Sequence, residues 1–216
     1  EVVPQGVNRL MFHALPLVAL AAVFTAALIV PLAGVAPLFS FGGDLIVALY
    51  LLGLLTLCVG LAGANTATSF SLAGSVRLFT QLFAYEAPFL LALLVPAYVA
   101  GSWQLREISA VNANQWMLLA QPIGFVVAVL SLLGKLELPP FDAPEAETEI
   151  VGGSLVEYGG VGLALFLLAK KLALVVGLAL IAALYMGGLL NPLDYLLKTL
   201  ALLLVIVVIH TVMTRL

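Results

Sequence analysis

The sequence contains very little charge and a single cysteine. Only 9% of its 216 residues are charged, whereas 64% are hydrophobic, and the mean hydropathy is +1.23. This composition excludes an ordinary soluble domain. Cys58 alone excludes an intrachain disulfide, and one thiol cannot hold an iron–sulfur cluster or a thiolate zinc site. The net charge of −3 and the lack of a basic patch exclude nucleic acid as a partner.

The sequence also lacks the short motifs of several catalytic classes. No dinucleotide-binding fingerprint, phosphate loop, zinc-binding helix or nucleophile elbow is present. His13 and His210 are each solitary and lack the spacing of a metal-binding pair. We therefore expect no cofactor and no metal in this chain. Any redox chemistry in which it takes part must draw its electrons from other subunits.

Long apolar segments predict an all-α, polytopic transmembrane helix bundle. Each segment runs for about 20 residues, which at about 1.5 Å per residue crosses a hydrocarbon core of about 30 Å. Alternating ten-residue strand patterns are absent, so helices rather than a barrel satisfy the backbone. Apolar length and flanking breakers predict about six spans. They lie at roughly 10–32, 44–63, 84–101, 115–134, 160–186 and 194–214.

Two connections interrupt the apolar pattern with polar residues. Residues 64–83 are weakly polar and predict a short helix that forms an interfacial segment beside the bundle. Residues 135–159 form an acidic loop. No internal repeat divides the chain, so residues 1–216 predict a single transmembrane domain. Four basic residues lie near span ends on one side of the membrane and two on the other, and an excess of basic residues marks the cytoplasmic side. The sequence therefore predicts that the interfacial segment and the acidic loop face the cytoplasm.

The acidic loop concentrates carboxylates between two membrane-length apolar stretches. Three prolines between 139 and 144 stiffen its start, because each fixes φ and restricts the residue before it. Pro144 suits the first turn of a helix. We expect Glu145, Glu147 and Glu149 to begin that helix, with the first and third on one face. Carboxylates in several directions suit a chain of protonatable sites. The alternative is a solvated acidic loop that caps a helix.

Two further places put charge into apolar surroundings. Glu86 opens the third predicted span. Inserting a carboxylate into a membrane costs roughly 3 kcal/mol, so we expect Glu86 to face a partner or a polar cavity. The alternative is an interfacial pair with Arg77. Lys170 and Lys171 lie inside the fifth span, and because adjacent helical residues diverge by about 100°, at least one should face the interior and meet an acidic partner. The alternative is a later start of the span, with both lysines snorkelling to the interface.

The acidic loop resembles the signature of the membrane heel subunit of respiratory complex I, a family known as the H or first membrane subunit, which is also found in membrane-bound NiFe hydrogenases. The matching residues follow the family's order and spacing: Pro140-Phe141-Asp142, Pro144-Glu145-Ala146-Glu147, Glu149-Ile150, Gly153 and Glu157-Tyr158. A second matching block leads into the family's next span: Arg77, Gln81, Tyr85-Glu86 and Pro88. The resemblance covers essentially the whole chain. On the family's pattern of eight spans, the chain is similar to the second through the seventh, and we expect the first and last to be missing from it.

The resemblance implies a subunit without a cofactor that joins an electron-transferring arm to an ion-pumping arm in a prokaryotic inner membrane. It implies antiporter-like membrane subunits and peripheral iron–sulfur subunits as partners, with a NiFe centre, flavin or quinone in or beside them. The implied proton-transfer residues are Glu86, Asp142, Glu145, Glu147, Glu149 and Glu157. The implied supporting charges are Arg77, Lys170 and Lys171.

Departures from the complex I branch of the family favour a hydrogenase-type or ferredoxin-linked relative. Lys170-Lys171 stands where that branch has Glu-Tyr, and Leu138 stands where it has arginine. Losing these groups weakens the case for a quinone site. One alternative is a subunit of an NADH:quinone oxidoreductase that lines the quinone chamber. Another is a secondary transporter with Glu86 and both lysines in a substrate site, although the chain lacks an inverted repeat. A third is a structural anchor for a peripheral enzyme.

Overall fold

The computed structural model describes residues 6–66, 68–113, 116–187 and 191–213, without the side chains of Glu147 and Thr148. The regular structure in these ranges is helical. The α-helices are α1 (Arg9–Ile29), α2 (Asp44–Thr66), α3 (Ser69–Ala100), α4 (Leu105–Asn112), α5 (Met117–Ala120), α6 (Pro122–Lys135), α7 (Glu147–Ile150), α8 (Gly160–Tyr185) and α9 (Pro192–Val212). Within the described ranges, five of them are long and apolar enough to cross a membrane, namely α1, α2, α3, α8 and α9. The predicted all-α, polytopic bundle is confirmed.

The fourth predicted span is divided in the structure. A four-residue helix, α5, is followed by α6, which has 14 residues and is shorter than the about 20 residues of an ordinary span. Gln121 between them has a non-helical backbone, and Pro122 begins α6. Proline lacks the N–H that would continue the hydrogen-bond ladder from α5, so the helix restarts there.

Helix α3 joins the predicted interfacial segment to the third predicted span. It runs for 32 residues and continues through Pro88 and Pro96. Two polar residues of its first half, Ser71 and Ser75, are buried and hydrogen-bonded within the bundle. A separate short helix over 64–83 is therefore a wrong prediction, since residues 64–66 end α2 and residues 69–83 begin α3. The interfacial position of this segment stays a prediction.

The bundle is built around α3 and α8. Helix α1 packs against α2 and α8, while α2 and α6 pack against α3. The second half of α8, from Val176 to Tyr185, is buried throughout and forms the centre of the apolar core. Helix α9 contacts α8 and leaves most of its apolar surface exposed, as expected of a helix that faces lipid.

The connection between α6 and α8 is packed into one end of the bundle. The hydroxyl of Ser71 lies 3.1 Å from the Ser154 carbonyl and 2.9 Å from the Gly63 carbonyl, so α2, α3 and the loop meet at one side chain. A Cβ at Gly74 would lie 2.5 Å from the Ser154 nitrogen, an approach that only glycine permits. The acidic loop is therefore an anchored part of the bundle.

Candidate functional site

One stripe of α3 faces the acidic loop. Arg77, Gln81 and Tyr85 follow one another at four-residue spacing, which places them on the same side of the helix. Gln81 Nε2 donates to the Gly134 carbonyl at 2.7 Å and to the Phe141 carbonyl at 2.6 Å. The rings of Tyr85 and Phe141 also pack together, with centroids 5.2 Å apart. The stripe thus fixes the loop to the end of α6.

Arg77 binds the outer part of the loop. Its guanidinium donates to Glu149 Oε2 at 2.6 Å and to the Ala143 carbonyl at 3.3 Å. The side chains of Arg77 and Glu149 are 42% and 60% exposed, so this ion pair contributes at most about 1 kcal/mol. The alternative in which Arg77 pairs with Glu86 is wrong. Arg77 instead orients the loop from outside.

The glutamates of the loop do not share one helix. Glu145 ends a 3-10 turn, Ala146 has an extended backbone, and α7 begins only at Glu147. Glu145 consequently contacts Lys170 on α8, whereas Glu149 contacts α3. The expectation that these two carboxylates share a helix face is therefore wrong, because the helix does not continue through Ala146. The side chain of Glu147 lies outside the described residues.

Lys170 on α8 is held between two carboxylates. Its Nζ lies 2.8 Å from Glu137 Oε2 and 2.5 Å from Glu145 Oε1. The Glu137 side chain is 3% exposed, against 35% for Glu145. Burial raises the pKa of Glu137 above its ordinary value, although the nearby Lys170 ammonium acts in the opposite direction. The prediction that one lysine meets an acidic partner inside the protein is confirmed, and Lys171 is exposed.

Glu86 on α3 forms an ion pair with Lys135, the last residue of α6. The Lys135 side chain is only 1% exposed, and its Nζ lies 5.3 Å from the centre of the Phe89 ring. A Cβ at Gly53 would lie 2.9 Å from Glu86 Oε1, so α2 closes over the carboxylate at a glycine. A buried charge is tolerated only when it is paired, and this geometry keeps the two charges together.

These contacts form two sets of alternating charge at one end of the bundle. The inner set is Glu86 with Lys135, and the outer set, here called the triad, is Glu137, Lys170 and Glu145. Lys135 and Glu137 are two residues apart, so the end of α6 belongs to both sets. Neither residue was predicted as part of the site. The signal that could have found them is a lysine and a glutamate directly after an apolar span, on the side of Glu86 and the acidic loop.

Asp142 and Glu157 lie toward opposite ends of the loop. Asp142 is buried, and its carbonyl accepts the N–H of Glu145 at 3.0 Å. Glu157 is partly exposed in the turn before α8, and it joins neither charge set within the part of the chain that the structure describes. Next to it, the ring of Tyr158 stacks on Phe12 of α1 with centroids 4.3 Å apart. A proton-transfer role for Asp142 and Glu157 stays a prediction.

Two grooves flank the loop. One, of about 430 Å³, is lined by Glu145, Tyr158 and apolar residues of the loop and α8, so the Glu145 carboxylate faces an open cleft while Glu137 is sealed. The other, of about 440 Å³, runs along α3 past Arg77, Gln81 and Tyr85. Among the described residues, no group of three or more His, Cys, Asp or Glu side chains is arranged to hold a metal ion.

The sequence matches a known protein family along its length. A family model described as NADH dehydrogenase matches residues 1–216. The chain belongs to the NADH dehydrogenase family. The H subunits of NADH-quinone oxidoreductase from Bacillus thuringiensis (strain Al Hakam) and Bacillus cereus (strain AH187) are each 32% identical over 194 residues. Each alignment covers 90% of this chain and 58% of the relative, so the chain spans somewhat more than half the length of these relatives.

Membership of the NADH dehydrogenase family agrees with the architecture. Among the described residues, five helices are long and apolar enough to cross a membrane. Together with the similarity to H subunits of NADH-quinone oxidoreductase, they make this an integral membrane protein. The predicted resemblance to the membrane heel subunit of complex I is confirmed. The predicted link to hydrogenases stays a prediction.

Proposed function

We propose that this chain is a membrane subunit of a complex I-like energy-converting oxidoreductase that links electron transfer in a peripheral arm to proton or sodium translocation. The observation that supports the proposal best is the alternation of acid and base, from the exposed side of the loop to Glu86 inside the bundle. The role requires antiporter-like membrane subunits and peripheral iron–sulfur subunits as partners. The chain then lies in a prokaryotic inner membrane, with the acidic loop on its cytoplasmic side.

Alternating charges suit coupling because each ion pair depends on the charge state of the next. Glu149 and Arg77 lie on the exposed side of the loop, where a peripheral subunit can dock. Inside, Lys170 divides its interaction between Glu137 and Glu145. A change of charge near Glu145 shifts that balance, and Coulomb interactions are stronger in the poorly polarisable interior than in water. Redox chemistry at the docked subunit can thereby bias the inner charges.

The electron donor and acceptor distinguish two forms of the proposal. The hydrogenase-type or ferredoxin-linked form rests on Lys170-Lys171 and Leu138, which replace groups of the complex I branch. The NADH:quinone form is favoured by the names of the relatives and by the groove along α3, where Arg77 and Gln81 offer polar contacts for a quinone head group. The activities of the purified complex distinguish the two forms. Hydrogen evolution from reduced ferredoxin supports the first form, and NADH-driven quinone reduction supports the second.

Substitution of the loop carboxylates in the whole complex, reconstituted into vesicles, tests the coupling role. Glu145→Gln should leave the complex assembled and abolish either turnover or ion pumping, and Glu149→Gln should act in the same direction with a smaller effect because its ion pair is exposed. Glu107→Gln is the matched control, since Glu107 is an exposed carboxylate of α4. Unchanged turnover and pumping in both loop variants would contradict an acidic relay.

The two rival classes make different demands on the same residues. A secondary transporter needs Glu86 and Lys170 in one substrate site, but each has its own partner within the described structure. Solute transport by the isolated chain would nevertheless support it. A structural anchor needs no titratable relay at all. Intact ion pumping after neutralisation of Glu86, Lys170 and Lys171 would support the anchor.

A further inference from the structure

We propose that Glu137 is the proton-holding residue of this site, and that the triad of Glu137, Lys170 and Glu145 stores one proton as a neutral unit. The inference rests on the proposed function and deepens it, because it names both the transferred ion and the side chain that holds it. Glu137 lies at the start of the acidic loop, directly after α6, but it is not among the residues to which the sequence analysis gave a role.

The charge balance of the triad requires a proton. With all three side chains ionised, two carboxylates and one ammonium leave one excess negative charge at a site where Glu137 is 3% and Lys170 is 13% exposed. An uncompensated charge is strongly disfavoured away from water. One added proton makes the triad neutral, so the site binds a proton more readily than an isolated surface carboxylate does.

Burial decides which carboxylate holds that proton. Glu145 is 35% exposed and lines the cleft of about 430 Å³, so water can solvate its charge. Glu137 is sealed, and the charged groups that face it are Lys170 from α8 and Glu145 from the loop. Burial and the second carboxylate both raise the pKa of Glu137, while Lys170 lowers it less. The proton therefore resides on Glu137, and the ammonium then pairs with Glu145.

The same geometry selects protons over sodium ions. The Lys170 ammonium already occupies the position between the two carboxylates, at 2.8 Å and 2.5 Å from their oxygens. A metal cation placed there would meet the repulsion of the ammonium. A proton needs no such space. Glu145 takes it from water in the cleft, Lys170 gives one of its own protons to Glu137, and Lys170 then takes up the proton of Glu145. This transfer changes the charge of the triad from −1 to zero without displacing a side chain.

Infrared difference spectroscopy on the whole complex tests the assignment directly. A buried protonated carboxyl group has a carbonyl stretch that shifts in D2O. We expect this band in the native complex to titrate above the ordinary glutamate pKa of 4.5, to be lost in Glu137→Gln, and to persist in the control Glu107→Gln. In vesicles, Glu137→Gln should lose proton pumping, whereas Glu137→Asp should retain both the band and part of the pumping.

The outcomes separate this inference from the function on which it rests. If the native complex pumps protons and Glu137→Gln pumps equally with the band unchanged, the assignment is overturned and the coupling function stands. If the native complex pumps no ion, the coupling function fails, and the band still reports whether Glu137 holds a proton. Pumping that requires sodium would overturn the choice of ion. If Glu137→Gln does not assemble, the band and the pumping of Glu137→Asp decide the matter.

Discussion

Replacing Glu86 by Gln should strongly destabilise the folded chain, because it leaves the Lys135 ammonium buried without an opposite charge. The Lys135 side chain is 1% exposed and lies against the Phe89 ring, so water cannot take over the role of the carboxylate. Gln has almost the same size and shape as Glu. The substitution therefore removes one charge and leaves the packing against Gly53 intact.

The magnitude of this loss can be bounded. Removing one partner of a buried ion pair costs about 3–5 kcal/mol. The alternative is that Lys135 loses its proton. Deprotonation of a lysine at pH 7 costs about 5 kcal/mol of free energy, since its ordinary pKa is about 10.4 and each pKa unit corresponds to about 1.36 kcal/mol. The Phe89 ring contributes about 1 kcal/mol of attraction for the ammonium. Because Glu86 is 28% exposed, we expect a loss of about 3 kcal/mol, near the lower bound.

A double-mutant cycle distinguishes the lost charge from a packing defect. Unfolding of the chain within its complex is measured for the native form, Glu86→Gln, Lys135→Met and the double variant. Replacing both partners of a buried pair is often nearly neutral, so the double variant should lie within about 1 kcal/mol of the native form. A double variant as unstable as Glu86→Gln would refute the reasoning, since the defect would then have no connection with the unpaired lysine.

Three further outcomes are expected. Lys170→Met should abolish coupling and loosen the loop, because it removes the ammonium that contacts both Glu137 and Glu145. Lys171→Met should shift the free energy of unfolding by no more than about 0.5 kcal/mol, because its side chain is exposed. Vesicle pumping and thermal unfolding measure both variants. The stability that protonated Glu137 contributes is fully present below pH 4.5 and is lost as pH rises through its raised folded-state pKa. As pH rises, the unfolding temperature of the native form should therefore fall relative to that of Glu137→Gln. Gly74→Ala should cost about 1–3 kcal/mol and expose the loop to proteases, while Gly42→Ala, with open space around it, should do neither.

The helical class and most of the spans could be predicted because a helix that crosses lipid needs about 20 consecutive apolar residues. The predicted 44–63 and 160–186 lie close to α2 and α8. The rule fails where a segment is covered by protein instead of lipid. Residues 69–83 look too polar for a span, yet Ser71 and Ser75 are satisfied by hydrogen bonds within the bundle, so one helix continues through them.

The partners of the charged residues could not be predicted from spacing. A helical wheel places Glu145 and Glu149 together only if the helix passes through Ala146, whose extended backbone breaks it. The position of Glu137 after an apolar span could have drawn attention to it, but nothing in the sequence around it indicates which side chain it contacts. Its importance comes from Lys170, which is distant in sequence and becomes a neighbour only when α8 packs beside the end of α6.

The lysines of this chain and the carboxylates around them are physically coupled. A lysine at position 170 lies more than two helical turns inside α8, where it is tolerated only beside opposite charge. Glu145 alone is partly solvated and sits on a loop, so the buried Glu137 supplies the contact that water cannot. If position 170 carried a carboxylate, as the resemblance implies for the complex I branch, Glu137 would face two like charges, and its pKa would rise further. It would then stay protonated and could no longer titrate, so a relative with carboxylates at both positions in which residue 137 still releases its proton would contradict this coupling. Under the proposed function, Lys170-Lys171 is therefore compatible with a relay, in which the titrating carboxylate lies at the end of α6 and not on the membrane helix.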